Sequence, residues 1–478
     1  MVANSKLQIF KEKYASDIRF WILLFFVIRL FGITNPPLEI AHNWRQVTGD
    51  MVARNFYEVD SNILYPRLDS AGEKTGITGT EFSVLNYLMY LLSLIFGFHD
   101  WFGRLINLIV SSYGIFYFYK LLKLKFDEKF AFYSAFILLT SMWLMFSRKT
   151  MPDTFSTSLV IIALYHAFSY LNNLKFPSLI LYFVFVTLGV LSKIPAIYLV
   201  AVLCFPIFDK TILMKDKVWL IAASLLMVIP VAIWYFYWVP YLISEYGYSN
   251  YYMGTDMANG FFQITSNLSL TLEKFYFDAL KFSGFAICLI GFVFAILKKE
   301  KTILWLTAIC SFAFAVFMLK AGRNFYHHSY YIVPFVPVMS LFVAYGLLQF
   351  KKKGIQVFLL LAITTESIAN QQHDFVIKQS EVYKLSLEGI ASKVCKPTDL
   401  IAINGDQNPQ LLYFTHRKGW SIANDKVEEV GFMKSIIGLG SKFLFLDKHS
   451  DSSHNMSSHI NWSLVFENEH FVVYSLRN

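Results

Sequence analysis

Charged residues that could perform chemistry are concentrated in a few polar segments, and the first of these covers about residues 35–81. It reads NPPLEIAHNWRQ at its start and TGITGTEF at its end, and it carries more charges than a short connector needs. Two of its acids, Asp69 and Glu81, have the chemistry of a general base or of a ligand to a divalent metal. The alternative is an ordinary polar loop. We expect the segment to form one wall of an active site at a membrane surface.

A basic, aromatic motif lies inside this segment. HNWRQ (residues 42–46) and ARNF (residues 53–56) predict a helix on the membrane surface, with Trp44 at the lipid headgroups. Arg45 would then face a phosphate, which a planar guanidinium binds well. His42 and Gln46 are candidate substrate contacts beside it. The alternative is an amphipathic helix whose arginines are solvated.

Two later polar motifs each contribute one charged candidate. In SRKTMPDT (residues 147–154), Asp153 follows Pro152, so it is predicted in the first turn of a helix. An acid there is stabilised by the helix dipole; the functional alternative is that it points into an outer pocket. In LSKIP (residues 191–195), Lys193 lies between two apolar runs and needs a phosphate or a carboxylate as its partner.

The motif KAGRNFYHHSYY (residues 320–331) opens another apolar run. Its histidines are adjacent, so their side chains diverge on a helix and do not bind one metal together. Hydrogen bonding to a phosphate or a sugar suits them better, and the alternative is an interfacial aromatic belt. The candidates in this motif are Arg323, His327, His328, Tyr330 and Tyr331.

The composition decides what kind of protein positions these residues. The chain has 478 residues, of which 56% are hydrophobic and 16% charged, and its mean hydropathy is +0.47. A soluble protein could not bury so much apolar surface, so most of the chain is predicted to lie in lipid. The net charge of +9 comes largely from lysines in short loops, which is typical of the cytoplasmic side of membrane proteins and argues against nucleic-acid binding. The four cysteines indicate neither a disulfide framework nor a metal site.

The positions of the lysine clusters predict the topology. About 11 spans, with 12 or 13 as alternatives, place every cluster inside, provided that residues 82–97 form a surface or re-entrant helix. The first apolar run, about residues 20–34, is interpreted as an uncleaved signal anchor. Residues 35–102 and 241–281 then form outer loops. The clusters are Lys6 to Arg19, Lys120 to Lys129, Lys210 to Lys217, Lys298 to Lys301 and Lys351 to Lys353.

The composition changes after about residue 366. DLIAINGDQNPQLLYFTHRKGW predicts a strand, a short helix and a strand. SKFLFLD predicts another strand, and LVFENEHFVVYSL predicts a hairpin with its turn near Asn468. The fold class expected is therefore an all-α polytopic membrane module over residues 1–366, followed by a small α/β domain over 367–478 on the outer side.

The order of these motifs resembles a known family. HNWRQ, ARNF, PRLD, EF at the head of an apolar helix, RKTMPDT, LSKIPA and HHSYYIVPFVP together are similar to bacterial glycosyltransferases of the GT-C fold. More narrowly, they resemble the branch related to protein O-mannosyltransferases and the lipid A aminoarabinose transferase, and the resemblance covers roughly residues 20–350. It implies an inverting transferase of the inner membrane that uses a polyprenyl-phosphate-linked sugar donor.

The chain departs from that pattern at two positions. Many relatives carry an Asp-Glu pair at the start of the first outer loop, where this chain has HNWRQ with no acid. Many also have Lys-Pro-Pro-Leu at the head of the helix near residue 82, where this chain has Glu81-Phe82-Ser83-Val84. The family's base and phosphate ligand therefore cannot be carried over at these positions.

The expected reaction is displacement at the anomeric carbon with a phosphate leaving group. It needs a cation to stabilise the phosphate and a carboxylate to accept the hydroxyl proton. A divalent cation is compatible with this chemistry but is not indicated by the sequence. The candidate phosphate ligands are Arg45, Lys193 and Arg323. The candidate bases are Asp69 first, then Glu81 and Asp50; Asp153 is also a candidate acid, with orientation of Lys193 or Arg148 as its expected role.

The partners that follow are the lipid-linked donor, membrane lipids and a lipid, glycan or protein acceptor. The expected location is the bacterial inner membrane, with the site and the C-terminal domain facing the periplasm. Two other functions remain open: a flippase for the same lipid-linked sugar, which predicts charges at mid-span, and a non-catalytic scaffold that binds a partner through its outer domain.

Overall fold

The computed structural model describes residues 14–250, 254–450 and 462–477, and it is mostly helical. The predicted uncleaved anchor begins near residue 20. The lysines that precede it, up to Lys13, lie outside the described residues. The α-helices are α1 (Ile18–Arg29), α2 (Asn43–Glu58), α3 (Val84–Phe96), α4 (Phe102–Lys123), α5 (Glu128–Thr140), α6 (Trp143–Phe146), α7 (Pro152–Asn173), α8 (Phe176–Ser192), α9 (Cys204–Phe208), α10 (Met214–Ala232), α11 (Val239–Tyr246), α12 (Met257–Ser266), α13 (Leu268–Glu273), α14 (Lys281–Leu297), α15 (Lys301–Ala321), α16 (Arg323–His327), α17 (Val336–Gln349), α18 (Lys353–Gln371), α19 (Leu387–Val394), α20 (Gln410–Thr415), α21 (Asn424–Glu428) and α22 (Val430–Gly438).

Tighter or wider helical turns continue several of these helices. Residues 194–203 and 329–335 are 3₁₀-helical and lead into α9 and α17. Residues 233–238 and 274–279 are π-helical. The first π turn joins α10 to α11, so that Met214–Tyr246 is one long helix.

Five described helices are long and apolar enough to cross a membrane: Phe102–Lys123, Pro152–Asn173, Met214–Tyr246, Lys301–Ala321 and Ser329–Gln349. A bent pair, Leu268–Ala279 and Lys281–Leu297, would make a sixth, with 98° between its halves. On α10, Leu225 is 65% and Ile229 54% exposed, one turn apart on one face, as expected for a surface in contact with lipid. Helix α3 has only 13 residues. The number of spans and their orientation stay predictions.

The chain forms two compact units. The first contains Met1–Ile33, Gly103–Tyr235 and Tyr251–Phe375; the second contains Thr34–Phe102, Phe236–Asn250 and Val376–Asn478. The second unit thus groups the whole of the first polar segment with the C-terminal residues. Helix α18 continues past residue 366 as far as Gln371, and the division at that residue stays a prediction.

In the first unit, α7 and α8 pack against each other at close range. A Cβ at Gly189 would come within 2.8 Å of Val160 Cγ2 and 3.1 Å of the Ser156 carbonyl oxygen. Glycine is therefore required there for the helices to approach. The Ser156 hydroxyl donates to the Gly189 carbonyl at 2.7 Å. This contact brings the end of α8 beside the start of α7, which is where Lys193 and Asp153 lie.

The second unit contains a five-stranded sheet with the order β2-β1-β3-β5-β4. Strand β1 pairs in parallel with β2 and β3, and β5 pairs antiparallel with β3 and β4. The strand–helix–strand and hairpin predictions are confirmed, and Asn468 lies in the turn, donating its backbone N–H to the Phe471 carbonyl. The strands are β1 (Leu400–Ile403), β2 (Gly419–Ser421), β3 (Ser441–Asp447), β4 (Ser463–Glu467) and β5 (Phe471–Ser475).

Candidate active site

The first unit brings together Asp153 and Lys193. Pro152 is at the first position of α7 and Asp153 lies in its first turn, as the sequence predicts. Lys193 is the residue that ends α8, with extended backbone. Its Nζ lies 2.8 Å from Asp153 Oδ1, and the Asp153 side chain is 1% exposed while that of Lys193 is 14% exposed. A buried carboxylate is costly unless it is paired, and the ammonium supplies that pairing. Of the two partners expected for Asp153, it contacts Lys193.

Aromatic rings cover another side of the Lys193 ammonium. Its Nζ lies 4.8 Å from the centre of the Tyr330 ring and 5.9 Å from that of Tyr331. His328 stacks on Tyr330 with 5.1 Å between ring centres. These rings attract a cation without neutralising its charge. We call Asp153, Lys193, His328, Tyr330 and Tyr331 the lysine cluster.

Two other candidates from the 320–331 motif are not part of the lysine cluster. Arg323 is exposed at the start of the short helix α16, where its backbone N–H donates to the Gln263 side chain at 2.7 Å. His327 is exposed and contacts the ring of Tyr326. Helix α16 ends at His327, and the two adjacent histidines contact different rings, His327 that of Tyr326 and His328 that of Tyr330.

Two buried cations, Arg148 and Lys149, lie in the connection that precedes Asp153. From the sequence, only Arg148 had an expected role, as a group that Asp153 orients. Lys149 Nζ lies 2.9 Å from Asp374 Oδ1, and both side chains are 1% exposed. Arg148, also buried, donates to the backbone carbonyls of Arg29, Phe31 and Asp374. Arginines that bind carbonyls at helix ends complement the helix dipole. No sequence signal pairs Lys149 with Asp374, because 225 residues separate them.

In the second unit, Arg45 forms an ion pair with Glu81. The side chains are 26% and 21% exposed, so both are within reach of solvent. The structure therefore joins a predicted phosphate ligand to a predicted base. Helix α2 does form over the HNWRQ and ARNF motifs, as predicted.

Asp69, the first candidate for the base, is held on both carboxylate oxygens. Arg54 donates to Oδ2 at 2.7 Å and Asn55 donates to Oδ1 at 2.9 Å. Arg54 also donates to the Tyr413 carbonyl and lies over the Tyr413 ring. With side chains only 8% and 13% exposed, the Arg54–Asp69 pair fastens α2 and the PRLD motif to α20. The two hydrogen bonds and the low exposure of Asp69 limit its access to an acceptor hydroxyl.

The remaining candidates of the first polar segment are distributed along α2. Asp50 is 1% exposed and Gln46 is fully buried, with its amide donating to Glu39 at 2.6 Å. His42 precedes α2 with a left-handed backbone, and Trp44 is 37% exposed. The burial of Gln46 indicates a structural contact, whereas Trp44 is accessible, as a headgroup anchor must be.

A histidine that the sequence analysis did not single out connects three parts of the second unit. His416 Nε2 lies 2.8 Å from Glu58 and Nδ1 lies 3.0 Å from Glu388. The hydrogen bond to Glu58 raises the pKa of His416 above its ordinary value, since the doubly protonated ring can donate to both carboxylates. Over residues 14–250, 254–450 and 462–477, no three His, Cys, Asp or Glu side chains are grouped to hold a metal ion.

Comparisons with known proteins agree with this architecture. Residues 83–234 match the family model described as dolichyl-phosphate-mannose-protein mannosyltransferase. No curated protein sequence matches the chain. Among solved structures, ArnT from Cupriavidus metallidurans in the apo state superposes with a TM-score of 0.61 and 11% identity, over 95% of this chain and 97% of that one.

Two further structures are similar. ArnT from the same organism bound to undecaprenyl phosphate gives a TM-score of 0.60 at 11% identity, over 95% of this chain and 98% of that one. The apo oligosaccharyltransferase of Archaeoglobus fulgidus gives 0.55 at 14% identity, over 90% of this chain and 70% of that one. At such identities the likeness establishes a shared fold. The fold that the resemblance to GT-C glycosyltransferases implies is thereby confirmed.

Proposed function

We propose that the chain is a membrane glycosyltransferase that moves a sugar from a polyprenyl-phosphate donor to an acceptor hydroxyl, with Lys193 as the cation that holds the donor phosphate. The observation that carries this assignment is the lysine cluster. One buried carboxylate pairs with the ammonium, the centres of two aromatic rings lie 4.8 Å and 5.9 Å from it, and the Lys193 side chain is 14% exposed.

The chemistry of the leaving group explains why such an arrangement is useful. Cleavage of the bond between the anomeric carbon and the phosphate oxygen leaves negative charge on the phosphate. A preorganised ammonium stabilises that charge more than water does, because it need not reorient during the reaction. Asp153 keeps Lys193 oriented before the donor arrives, and the tyrosine rings add attraction without competing for its charge.

The relatives support the class of donor. The family model that matches residues 83–234 is named for a dolichyl-phosphate-mannose donor, and one of the similar ArnT structures contains undecaprenyl phosphate. Both molecules contain a polyprenyl phosphate, and the first of them carries a sugar on it. The acceptor proposed is a hydroxyl of a lipid, a glycan or a protein.

The acceptor base is assigned from exposure and bonding. Both oxygens of Asp69 accept hydrogen bonds in a nearly buried network, and Asp50 is 1% exposed. Glu81 is 21% exposed and has Arg45 beside it. We therefore place Glu81 before Asp69 and Asp50 as the carboxylate that accepts the hydroxyl proton. Asp153 orients Lys193 and is not a base in this scheme.

The location proposed is the bacterial inner membrane, with the reaction on its periplasmic face. Long apolar helices with exposed aliphatic faces support a multi-pass membrane protein. The lysine clusters of the short loops support the orientation. A flippase for the same lipid would bind it but leave the sugar–phosphate bond intact, so release of free polyprenyl phosphate separates the two functions.

The test is a turnover assay on purified protein with a radiolabelled polyprenyl-phosphate sugar and a membrane extract as the acceptor source. We expect the wild type to release polyprenyl phosphate and Lys193→Ala to lower the rate by roughly 100-fold, the scale of one preorganised charge contact. The matched control is Lys434→Ala, an exposed lysine of α22, which should retain full activity. Equal rates for Lys193→Ala and the control, at equal expression, would refute the assignment.

A further inference from the structure

Asn107 is a fully buried residue of α4 that no motif in the sequence singles out. Its amide nitrogen lies within hydrogen-bond distance of three backbone carbonyl oxygens: 3.0 Å to Phe146, 2.9 Å to Lys149 and 3.1 Å to Met151. These carbonyls belong to the connection between α6 and α7. An amide has only two N–H groups, so the three acceptors share them. One side chain thus satisfies the irregular backbone of this connection in a buried place, where unpaired carbonyls are costly.

The other end of the same amide holds the first turn of α7. Asn107 Oδ1 accepts a hydrogen bond from the Thr154 hydroxyl at 3.0 Å and another from Ser111 at 2.9 Å. Thr154 directly follows Asp153. The Asn107 amide therefore forms hydrogen bonds with the backbone that precedes Asp153, at Met151, and with the side chain of Thr154 that follows it.

From Asp153 the contacts continue to Lys193 along two routes. The first is the ion pair between the two side chains, at 2.8 Å. The second runs through Ser156, one turn into α7, whose hydroxyl lies 2.7 Å from the Gly189 carbonyl and 3.1 Å from the Lys193 carbonyl. The start of α7 thus contacts Lys193 at both its side chain and its backbone, and Asn107 sets where α7 starts.

We propose that Asn107 is the positioning residue of the phosphate site: it fixes the start of α7, and through Asp153 and Ser156 it aims the Lys193 ammonium at the donor phosphate. This inference rests on the proposed function. Asn107 is too deeply buried to touch the donor itself. Its effect is therefore expected in the affinity for the phosphate, and it should vanish when Lys193 is absent.

The experiment measures binding of undecaprenyl phosphate to the purified full-length protein in detergent. Asn107→Leu keeps a similar volume but removes every hydrogen bond of the amide. We expect it to raise Kd about tenfold, since small displacements of a charge contact cost that much or more. The matched control is Ser111→Ala, which should bind the lipid as the wild type does. It removes only the hydrogen bond from Ser111 to Asn107, which touches neither the α6–α7 connection nor α7.

A double substitution separates positioning from general loss of structure. In a Lys193→Ala background, Asn107→Leu should have no further effect on Kd, because the group that it aims is gone. A purely structural role would lower the unfolding temperature while leaving Kd of the folded protein unchanged, or would add to the Lys193→Ala effect. Either of those results overturns the inference.

Two outcomes distinguish a failure of this inference from a failure of the proposed function. If the wild type binds the lipid and Lys193→Ala does not, but a folded Asn107→Leu binds normally, only the inference fails. If the wild type and Lys193→Ala bind equally, the assignment of Lys193 fails and the inference fails with it. Should Asn107→Leu not fold, Thr154→Val decides: it loses one hydrogen bond to the amide, and an increase in Kd of about threefold supports the inference, while an unchanged Kd overturns it.

Discussion

The lysine cluster of the first unit and the first polar segment of the second unit are both rich in charge, but they use it differently. In the polar segment each arginine meets an acid: Arg45 pairs with Glu81, Arg54 with Asp69, and Arg67 with Asp60. In the lysine cluster a single ammonium has one carboxylate on one side and aromatic rings on another.

The difference shows why the number of charged residues in a segment does not predict whether those residues take part in a reaction. Arginine–carboxylate pairs neutralise each other and fix geometry, which suits an anchor. The Arg54–Asp69 pair has this character, since it is nearly buried and also binds the Tyr413 carbonyl. Lys193 is also paired with a carboxylate, that of Asp153, but the rings beside it attract the ammonium without adding a second negative charge. The most charged segment is thus not automatically the most reactive one.

The largest effect expected from this comparison is on stability, in the polar segment. Asp69→Ala leaves the Arg54 charge nearly buried without its carboxylate, and breaking such a pair costs about 3–5 kcal/mol. Thermal unfolding in detergent, followed by intrinsic fluorescence, should show a strongly lowered midpoint. The control is Asp60→Ala, whose side chain is 39% exposed in its pair with Arg67. It should cost below about 1 kcal/mol. Similar midpoints for the two variants would mean that Asp69 is not an anchor.

The next effect is on turnover, at the accessible acid of the same segment. Glu81→Gln should slow sugar transfer by about 100-fold, the lower end of the contribution of a general base, while leaving the unfolding midpoint nearly unchanged because the pair with Arg45 is partly exposed. Glu73→Gln, another acid of the same segment, is the control. Normal turnover in Glu81→Gln would return the base to Asp69 or Asp50.

A smaller effect is expected at the aromatic side of the lysine cluster. Tyr330→Leu removes the ring beside Lys193 and should weaken donor binding about fivefold, in keeping with the strength of one cation–π contact. Tyr330→Phe retains the ring and should bind almost normally. If Tyr330→Phe and Tyr330→Leu weaken donor binding equally, the tyrosine hydroxyl and not the ring contributes to binding. The contrast between the lysine cluster and the polar segment would then be wrong.

The smallest effect is the pH dependence of the second unit. Because the contact with Glu58 raises the pKa of His416, His416 stabilises the folded state fully below the unfolded pKa of about 6.5, and this contribution is lost as pH rises through the higher folded value. The loss should remain below about 1 kcal/mol, since the groups are partly exposed. Unfolding midpoints between about pH 6 and pH 9 should fall more for the wild type than for His416→Gln. Parallel pH profiles would exclude this role.

Local elements could be predicted from the sequence because their signals are local. Pro152 followed by Asp153 marks the start of α7, and the two short apolar runs on either side of Asn468 mark the hairpin. Helix α2 follows from its motif in the same way. The order of motifs was sufficient for the fold because it reflects many positions at once.

Pairings between distant residues could not be predicted. Arg54 and the Tyr413 carbonyl are 359 residues apart. Asn107 and the carbonyls of the α6–α7 connection are about 40 apart. No local periodicity records either contact. The sequence ranked Asp69 above Glu81, and the proposal reverses that order, because the sequence shows an acid but not whether its oxygens are already bonded.

The central claim, that Lys193 holds the donor phosphate, is tested most directly by comparing two lipids that differ only in the phosphate. Binding of undecaprenyl phosphate and of undecaprenol to the purified protein should show a clear preference of the wild type for the phosphate. Lys193→Ala should lose most of that preference while binding undecaprenol as well as the wild type does. A variant that keeps the full preference for the phosphate would contradict the account.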